Sequence, residues 1–280
     1  ILKNIMSVDL EDYYSNLPFS QWDNLSSRIE PLAKIILDLF DKYDVKATFF
    51  CLGYTAERHP DLIKEIVSKG HEIGTHSYKH IRLDKMTKTE FENDLLKSIK
   101  IIEEVSGKTV HGYRAPFFSI TNNEWVFEIL QKYLDYDSSV YPVNIRYRSL
   151  KGAKNAPTHI YKLFHPEPYR ENSNGKFTEI PLTTLSTPFG RIPTGGGFYL
   201  RFLPTWMIKK AIKNLNKQNF PAMFYIHTWD IDVGFPRKIG YNWYNYYGLK
   251  NTIKKFEIIL KNFQFTNANK IIEKFEFTKT

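Results

Sequence analysis

Two histidines four residues apart, His76 and His80, end the stretch Gly70-His71-Glu72-Ile73-Gly74-Thr75-His76-Ser77-Tyr78-Lys79-His80. If the chain turns helical after Gly74, the two side chains share one helix face and could hold a metal ion. A catalytic metal site takes a third protein ligand and keeps one position open for water. Alone, the pair also reads as two surface histidines at chance spacing, since the other six histidines are scattered. A second chemical cluster is Asp9-Leu10-Glu11-Asp12. Three carboxylates within four residues repel one another unless a cation or a basic group lies among them, or unless they form a solvated acidic turn.

The surrounding elements must bring these groups together. Asn4 to Val8 reads as a strand ending at Asp9, and Pro31 to Tyr43 as a helix with Leu32, Ile35, Ile36, Leu39 and Phe40 on its apolar face. Ala47 to Leu52 is the next strand, with Cys51 as a buried thiol. Pro60 to Lys69 is a helix closed by Gly70, and His71 to Gly74 a further strand. Lys88 to Ser106 is a long helix ended by Gly107. A strand from Val110 to Tyr113 runs into Arg114-Ala115-Pro116-Phe117-Phe118. After a helix from Asn122 to Tyr133, Tyr136-Asp137 ends another strand. Pro204 to Asn216 is helical, and Pro221 to Ile226 is a strand ending at His227. Strand–helix alternation with short links predicts a parallel sheet, closed as a barrel or left open, with chemistry at the carboxyl ends of its strands. Asp9, the histidine pair, Arg114 and Asp137 all fall at such ends. Residues 143–200 read as a loop-rich insertion with short β-like runs such as Thr178 to Ile180. The tail, residues 241–280, reads as a helix from Tyr241 to Phe263 and a β-like run from Lys270 to Phe277. Gly195-Gly196-Gly197 lacks the spacing of a phosphate loop. No repeat or linker divides the chain, so a single domain over residues 1–280 is expected.

The 280 residues are 42% hydrophobic, enough for a sizeable core, and no run of about 18 apolar residues would cross a membrane. One cysteine excludes an internal disulfide framework. The formal charge of +9 comes from 39 basic and 30 acidic side chains. Part of it is the stripe Lys209, Lys213 and Lys217, opposite the apolar Ile208, Ala211, Ile212 and Leu215. This suits a solvated helix face, and nothing resembles a nucleic-acid module. Association with a membrane surface stays open. No secretory signal is visible at the start, although Ile1 is not an initiator residue.

The order of these motifs (an acidic strand end, His-Ser-x-x-His, Arg-x-Pro-Phe, Asp-x-Ser and a late strand ending in His) resembles the NodB-type polysaccharide deacetylases, carbohydrate esterase family 4. The forms Ser7 to Tyr14 and Gly195 to Pro204 are similar to an exosortase-associated subgroup linked to exopolysaccharide synthesis. The resemblance implies an α/β fold, a distorted (β/α) barrel with fewer than eight strands. It implies one divalent metal ion, usually zinc, held by His76, His80 and a carboxylate. In the commoner family pattern the base and the acidic ligand are adjacent aspartates. Here Leu10 follows Asp9, so Asp9 matches the base and Glu11 the ligand, with Asp12 as rival: Glu11 points to the same side as Asp9 only if the strand continues. Arg114 would pair with Asp9 and keep it ionised, and the Phe117 backbone N–H would help stabilise an oxyanion. His227 would be the general acid, held by Asp137. Tyr13, Tyr14, Trp22, Phe118, Tyr141, Tyr199 and Trp229 could stack on sugar rings. The implied function is removal of N-acetyl groups from an amino-sugar glycan or its lipid-linked precursor, in a bacterial cytoplasm or at a membrane surface, with the periplasm left open. A cyclic amide or ureide hydrolase on the same barrel, or a non-catalytic glycan-binding barrel, are the alternatives.

Overall fold

The computed structural model describes residues 2–120, 124–143, 155–163, 168–237 and 241–275. Its strands are β1 (Asn4–Leu10), β2 (Thr48–Cys51), β3 (Glu72–Thr75), β4 (Gly112–Tyr113), β5 (Tyr136–Asp137), β6 (Tyr161–Leu163), β7 (Phe177–Glu179), β8 (Thr184–Thr187), β9 (Gly190–Pro193), β10 (Met223–His227) and β11 (Phe265–Thr266). The main sheet runs β10-β1-β2-β3-β4-β5-β7-β6, with β11 beside the start of β1. Seven strands of that path, β10 through β7, are parallel, and β6 is antiparallel to β7. The sheet curls into an incomplete barrel, as expected. β1 is buried along its whole length, as a parallel strand covered on both faces must be.

The helices follow their sequence signals. Ile29–Lys42 buries Leu32, Ile36, Leu39 and Phe40. Pro60–Ser68 starts on its proline. Lys88–Ser106 opens with a capping box between Thr87 and Glu90 and closes on left-handed Gly107. Among the described residues no helix is long and apolar enough to cross a membrane.

Three expectations change. Residues after Gly74 are not helical: β3 continues to Thr75, and the following loop holds Ser77 at φ 68° and His80 at φ 52°. A loop, not a helix face, therefore joins the histidines. Part of the supposed insertion is barrel wall, because β7 pairs in parallel with β5 and β8–β9 form a hairpin; residues 144–154 and 164–167 lie outside the described residues. In the tail, Trp243–Tyr246 and Leu249–Asn262 are helices, but Ala268–Ile272 is helical where a β-like run was expected. There the Asn267 side chain caps the helix by accepting from the Lys270 N–H, which outweighs the β-branched Ile271 and Ile272. Phe277 lies outside the described residues.

Between β7 and β10 the wall is closed by irregular backbone and one side-chain hydroxyl. The Thr183 hydroxyl donates to the Met223 carbonyl, the Tyr225 N–H to the Gly195 carbonyl, and the Gly197 N–H to the Tyr225 carbonyl. Gly196 has φ +126°, and a Cβ there would lie 1.8 Å from the Tyr225 carbonyl oxygen. Only glycine permits that approach.

Candidate active site

The carboxyl ends of β1, β3, β4 and β10 converge. β1 and β10 are paired so that Asp9 is the register partner of His227. Asp9 Oδ1 accepts from Arg114 Nη1 at 2.7 Å, and Asp9 Oδ2 lies 3.7 Å from His227 Nε2. Arg114 is fully buried and all three of its nitrogens are hydrogen-bonded: Nη1 also donates to Ser7 Oγ, Nε to the Ser138 carbonyl and Nη2 to Ser138 Oγ. The guanidinium also lies 4.2 Å from the Phe50 ring centroid. Four hydrogen bonds hold the guanidinium, so it is a rigid cationic neighbour for Asp9.

Glu11, His76 and His80, all buried, bring three ligand atoms within 4.8 Å of one another, the single such group among the described residues. Glu11 Oε2 accepts from Ser15 Oγ at 2.8 Å and Oε1 from Trp229 Nε1 at 3.1 Å. His76 Nδ1 donates to the Arg114 carbonyl at 2.7 Å, and His80 Nδ1 to the Ser15 carbonyl at 3.1 Å. A carbonyl only accepts, so both rings carry their proton on Nδ1 and turn Nε2 inward. His80 Nε2 then faces Glu11 Oε2 at 2.9 Å. Two acceptors at that distance call for a cation or an extra proton between them. Burial alone would raise the Glu11 pKa, but when the extra proton sits on His80 Nε2 the charge and hydrogen bond of that imidazolium hold it well below the usual carboxylate range. Burial lowers His76 to about 4, leaving it neutral at pH 7 as a ligand must be. A buried pair of histidines and a carboxylate fit a divalent cation.

Asp12 turns away from this group. It accepts from the Tyr13 N–H at 2.9 Å, Ser27 Oγ at 2.5 Å and the Arg28 N–H at 2.9 Å, and so caps the turn that follows β1. Asp12 was the rival to Glu11, and the structure does not bring it to the histidines. Asp12→Asn keeps an oxygen for the Tyr13 N–H but loses the one that accepts from Ser27 and Arg28, so it should cost about 1–3 kcal/mol of stability and leave metal affinity unchanged. Glu11→Gln should weaken metal binding by well over tenfold, since a charged ligand is lost. Competition titration with a metal-sensing dye would read both, and a reversed pattern would move the ligand role to Asp12.

His227 is held otherwise than expected. Its Nδ1 lies 2.8 Å from Asp230 Oδ2, and its own N–H donates to the same oxygen at 2.9 Å. The ring stacks on Trp229 with centroids 4.3 Å apart. Asp230 in turn forms a buried ion pair with Arg201 at 2.9 Å, off the line of a hydrogen bond. Asp137 is not the partner of His227. It accepts from Ser139 N–H and Oγ and meets the buried Glu179, because β5 is five strands away from β10 in the sheet. Burial raises Asp137 to about 6 and Glu179 well above its ordinary value, so this pair shares a proton. Burial would likewise lower His227, but the charge and hydrogen bond of Asp230, then Glu11 and Asp9, raise it overall. His and Asp three residues apart on a strand-ending turn was the visible signal for Asp230. Arg201 and Ser15 carried none.

Phe117 and Phe118 have φ of 56° and 51°, a conformation that costs non-glycine residues about 1–3 kcal/mol each. The turn lays the Phe117 ring over His80, with centroids 4.5 Å apart, and leaves it 39% exposed. Of the aromatic residues expected to face sugar, Tyr13, Tyr14, Trp22 and Trp229 pack into a buried cluster and Tyr141 into another. Phe118 and Tyr199 stay partly open.

Residues 21–133 match the polysaccharide deacetylase family, and residues 138–273 match a family described as a domain of unknown function (DUF3473). A peptidoglycan-N-acetylglucosamine deacetylase from Bacillus cereus is 35% identical over 105 residues, covering 38% of this chain and 38% of that protein. The chain thus spans well under half the length of that relative. Among solved structures, a candidate polysaccharide deacetylase from Mycobacterium smegmatis superposes with a TM-score of 0.56 at 19% identity, covering 99% of this chain and 94% of that one. The Puue allantoinase superposes with a TM-score of 0.59 at 17% identity, covering 96% and 88%. These two likenesses are of fold. Asp9 and Glu11 lie ahead of the first matched segment, His76, His80 and Arg114 lie within it, and His227 lies in the second.

Proposed function

We propose that this chain, which carries a polysaccharide deacetylase domain of the NodB, carbohydrate esterase family 4 kind, is a metal-dependent hydrolase that removes N-acetyl groups from an amino-sugar glycan or its lipid-linked precursor. The observation that carries the reading is the meeting of Asp9 with His227 beside the Glu11, His76 and His80 group. Those three residues would hold the metal, and two imidazoles with one carboxylate favour zinc. A divalent cation there supplies Lewis acidity toward the acetyl carbonyl and toward water. Asp9 takes the proton of the attacking water as general base. Arg114, held by four hydrogen bonds, keeps the Asp9 carboxylate in place. His227, oriented and kept protonated by Asp230, gives a proton to the departing amine. The Phe117 N–H would add a donor toward the oxyanion.

The relative from Bacillus cereus is named for a peptidoglycan substrate, which supports an N-acetylated glycan for this chain. The Ser7 to Tyr14 and Gly195 to Pro204 forms support an exopolysaccharide or its precursor. The chain would work as one unit, since base and acid lie 218 residues apart and meet across β1 and β10.

Acetate release from N-acetylglucosamine oligomers tests the reading. It should occur in the metal-replete protein, stop with chelator and return on adding zinc. A replete protein that releases no acetate from oligomeric or lipid-linked N-acetyl sugars, yet opens a cyclic ureide such as allantoin, would overturn it.

A further inference from the structure

We infer that Phe202, Trp206, Trp243 and Tyr247 form a surface that docks on an anionic lipid bilayer. All four are large apolar or amphipathic side chains left open, at 48%, 59%, 65% and 46% exposure. They come from three helices, Phe198–Phe202, Thr205–Asn216 and Trp243–Tyr246, with Tyr247 as the cap of the last. Phe202 meets Tyr247 with ring centroids 5.7 Å apart, Trp243 meets Tyr247 at 6.0 Å, and Phe198 stacks behind Phe202 at 5.4 Å. Trp206 stands four residues beyond Phe202, in the first turn of its helix.

The patch is built, not loose. Arg201, buried beneath it, donates Nη1 to the carbonyls of Tyr244, Asn245 and Tyr247 at 3.1, 2.9 and 3.0 Å. Lys255 Nζ donates to the carbonyls of Arg201 and Leu203 at 2.8 and 3.0 Å. The helices that carry Phe202, Trp243 and Tyr247 are thereby fastened to one another.

Charge selects the occupant. Residues 198–229 contain Arg201, Lys209, Lys210, Lys213 and Lys217 and no Asp or Glu. Residues 241–256 contain Lys250, Lys254 and Lys255 and again no acid. Lys210, Lys213 and Lys217 follow Trp206 at helical spacings that share its face. These three, with Lys250 and Lys254, are exposed. Tryptophan and tyrosine amid unopposed lysines is the composition that settles at the headgroup level of an anionic leaflet. Neither segment holds an acid that would repel an anionic leaflet. None of the four aromatic side chains belongs to the metal group, so docking goes beyond the deacetylase reading and does not depend on it.

Co-sedimentation with vesicles tests this. The protein should pellet with vesicles of equal parts phosphatidylglycerol and phosphatidylcholine, less with phosphatidylcholine alone, and less as salt rises. Exchange of Phe202, Trp206, Trp243 and Tyr247 for Ser should lower partitioning roughly tenfold or more, with thermal stability and metal uptake kept. If that fourfold variant misfolds, the single exchanges Trp206→Ser and Trp243→Ser carry the test, each expected to lower partitioning. Lys210→Gln with Lys254→Gln should reduce the preference for anionic vesicles. His76→Ala/His80→Ala should bind vesicles as the parent does, whatever its activity. A parent that does not pellet, or aromatic variants that pellet undiminished, would overturn the assignment. So would retention on an insoluble acidic polysaccharide, lost in the same variants, with no vesicle binding.

Discussion

Asp9→Asn should yield a protein that takes up metal like the parent and turns over about 10² to 10⁴ times more slowly, the range for a lost general base. Asp9 stands outside the Glu11, His76 and His80 group, so the ligand set is untouched. The amide keeps an oxygen for Arg114 Nη1 but loses the charge. Removing one member of a buried pair outright costs about 3–5 kcal/mol, and the retained acceptor should hold the loss below that. Turnover is therefore compared at matched metal content and at a temperature where circular dichroism shows both proteins folded. Parental turnover in Asp9→Asn would rule Asp9 out as the base.

His227→Ala should slow turnover by a similar factor of about 10² to 10⁴, most strongly for substrates with a poor leaving amine. The more telling variant is Asp230→Asn. A general acid must be protonated, and the folded protein raises the His227 pKa above its ordinary value, which carries activity further into alkaline pH. Asp230 gives the largest raising contribution, and a cation held at Glu11 would leave it in place. Without that charge the His227 pKa falls, so the alkaline limb of the rate profile should move to lower pH while the acid limb stays. Asp137→Asn should leave the alkaline limb where it is, since Asp137 is bonded to Ser139 and pairs with Glu179. An alkaline limb that moves with Asp137 and not with Asp230 would reverse the assignment.

What the sequence revealed follows the range of each signal. Periodicity and caps are local, so the helices Ile29–Lys42 and Lys88–Ser106 were legible almost to their ends. So were the strand ends that present Asp9, the histidine pair, Arg114 and His227. The approach of His76 to His80 was expected for the wrong reason: i,i+4 spacing suggested a helix, whereas left-handed Ser77 and His80 fold a loop. Positive φ at non-glycine residues leaves no trace in composition. The choice of Asp230 over Asp137 depended on which strand lies beside which, and short strands such as β4 and β5 have too few residues to announce their neighbours. Arg201 lies within the Gly195 to Pro204 form, but its part emerges only from contacts with carbonyls more than forty residues away.

The pairing of β1 with β10 has a consequence for how the protein comes into being. Asp9 and His227 are 218 residues apart in the chain, yet they are register partners. During synthesis the acid emerges 218 residues after the base, and a contact of such sequence separation forms late because its loop must close before anything rewards it. A nascent chain stalled anywhere before β10 would hold the Glu11, His76 and His80 side chains without Trp229 to cover Glu11 and without an acid to finish the reaction. Competence for the proposed chemistry should thus arrive in one step, when β10 adds to β1. Neither of the two segments that family comparison recognises could inherit it alone.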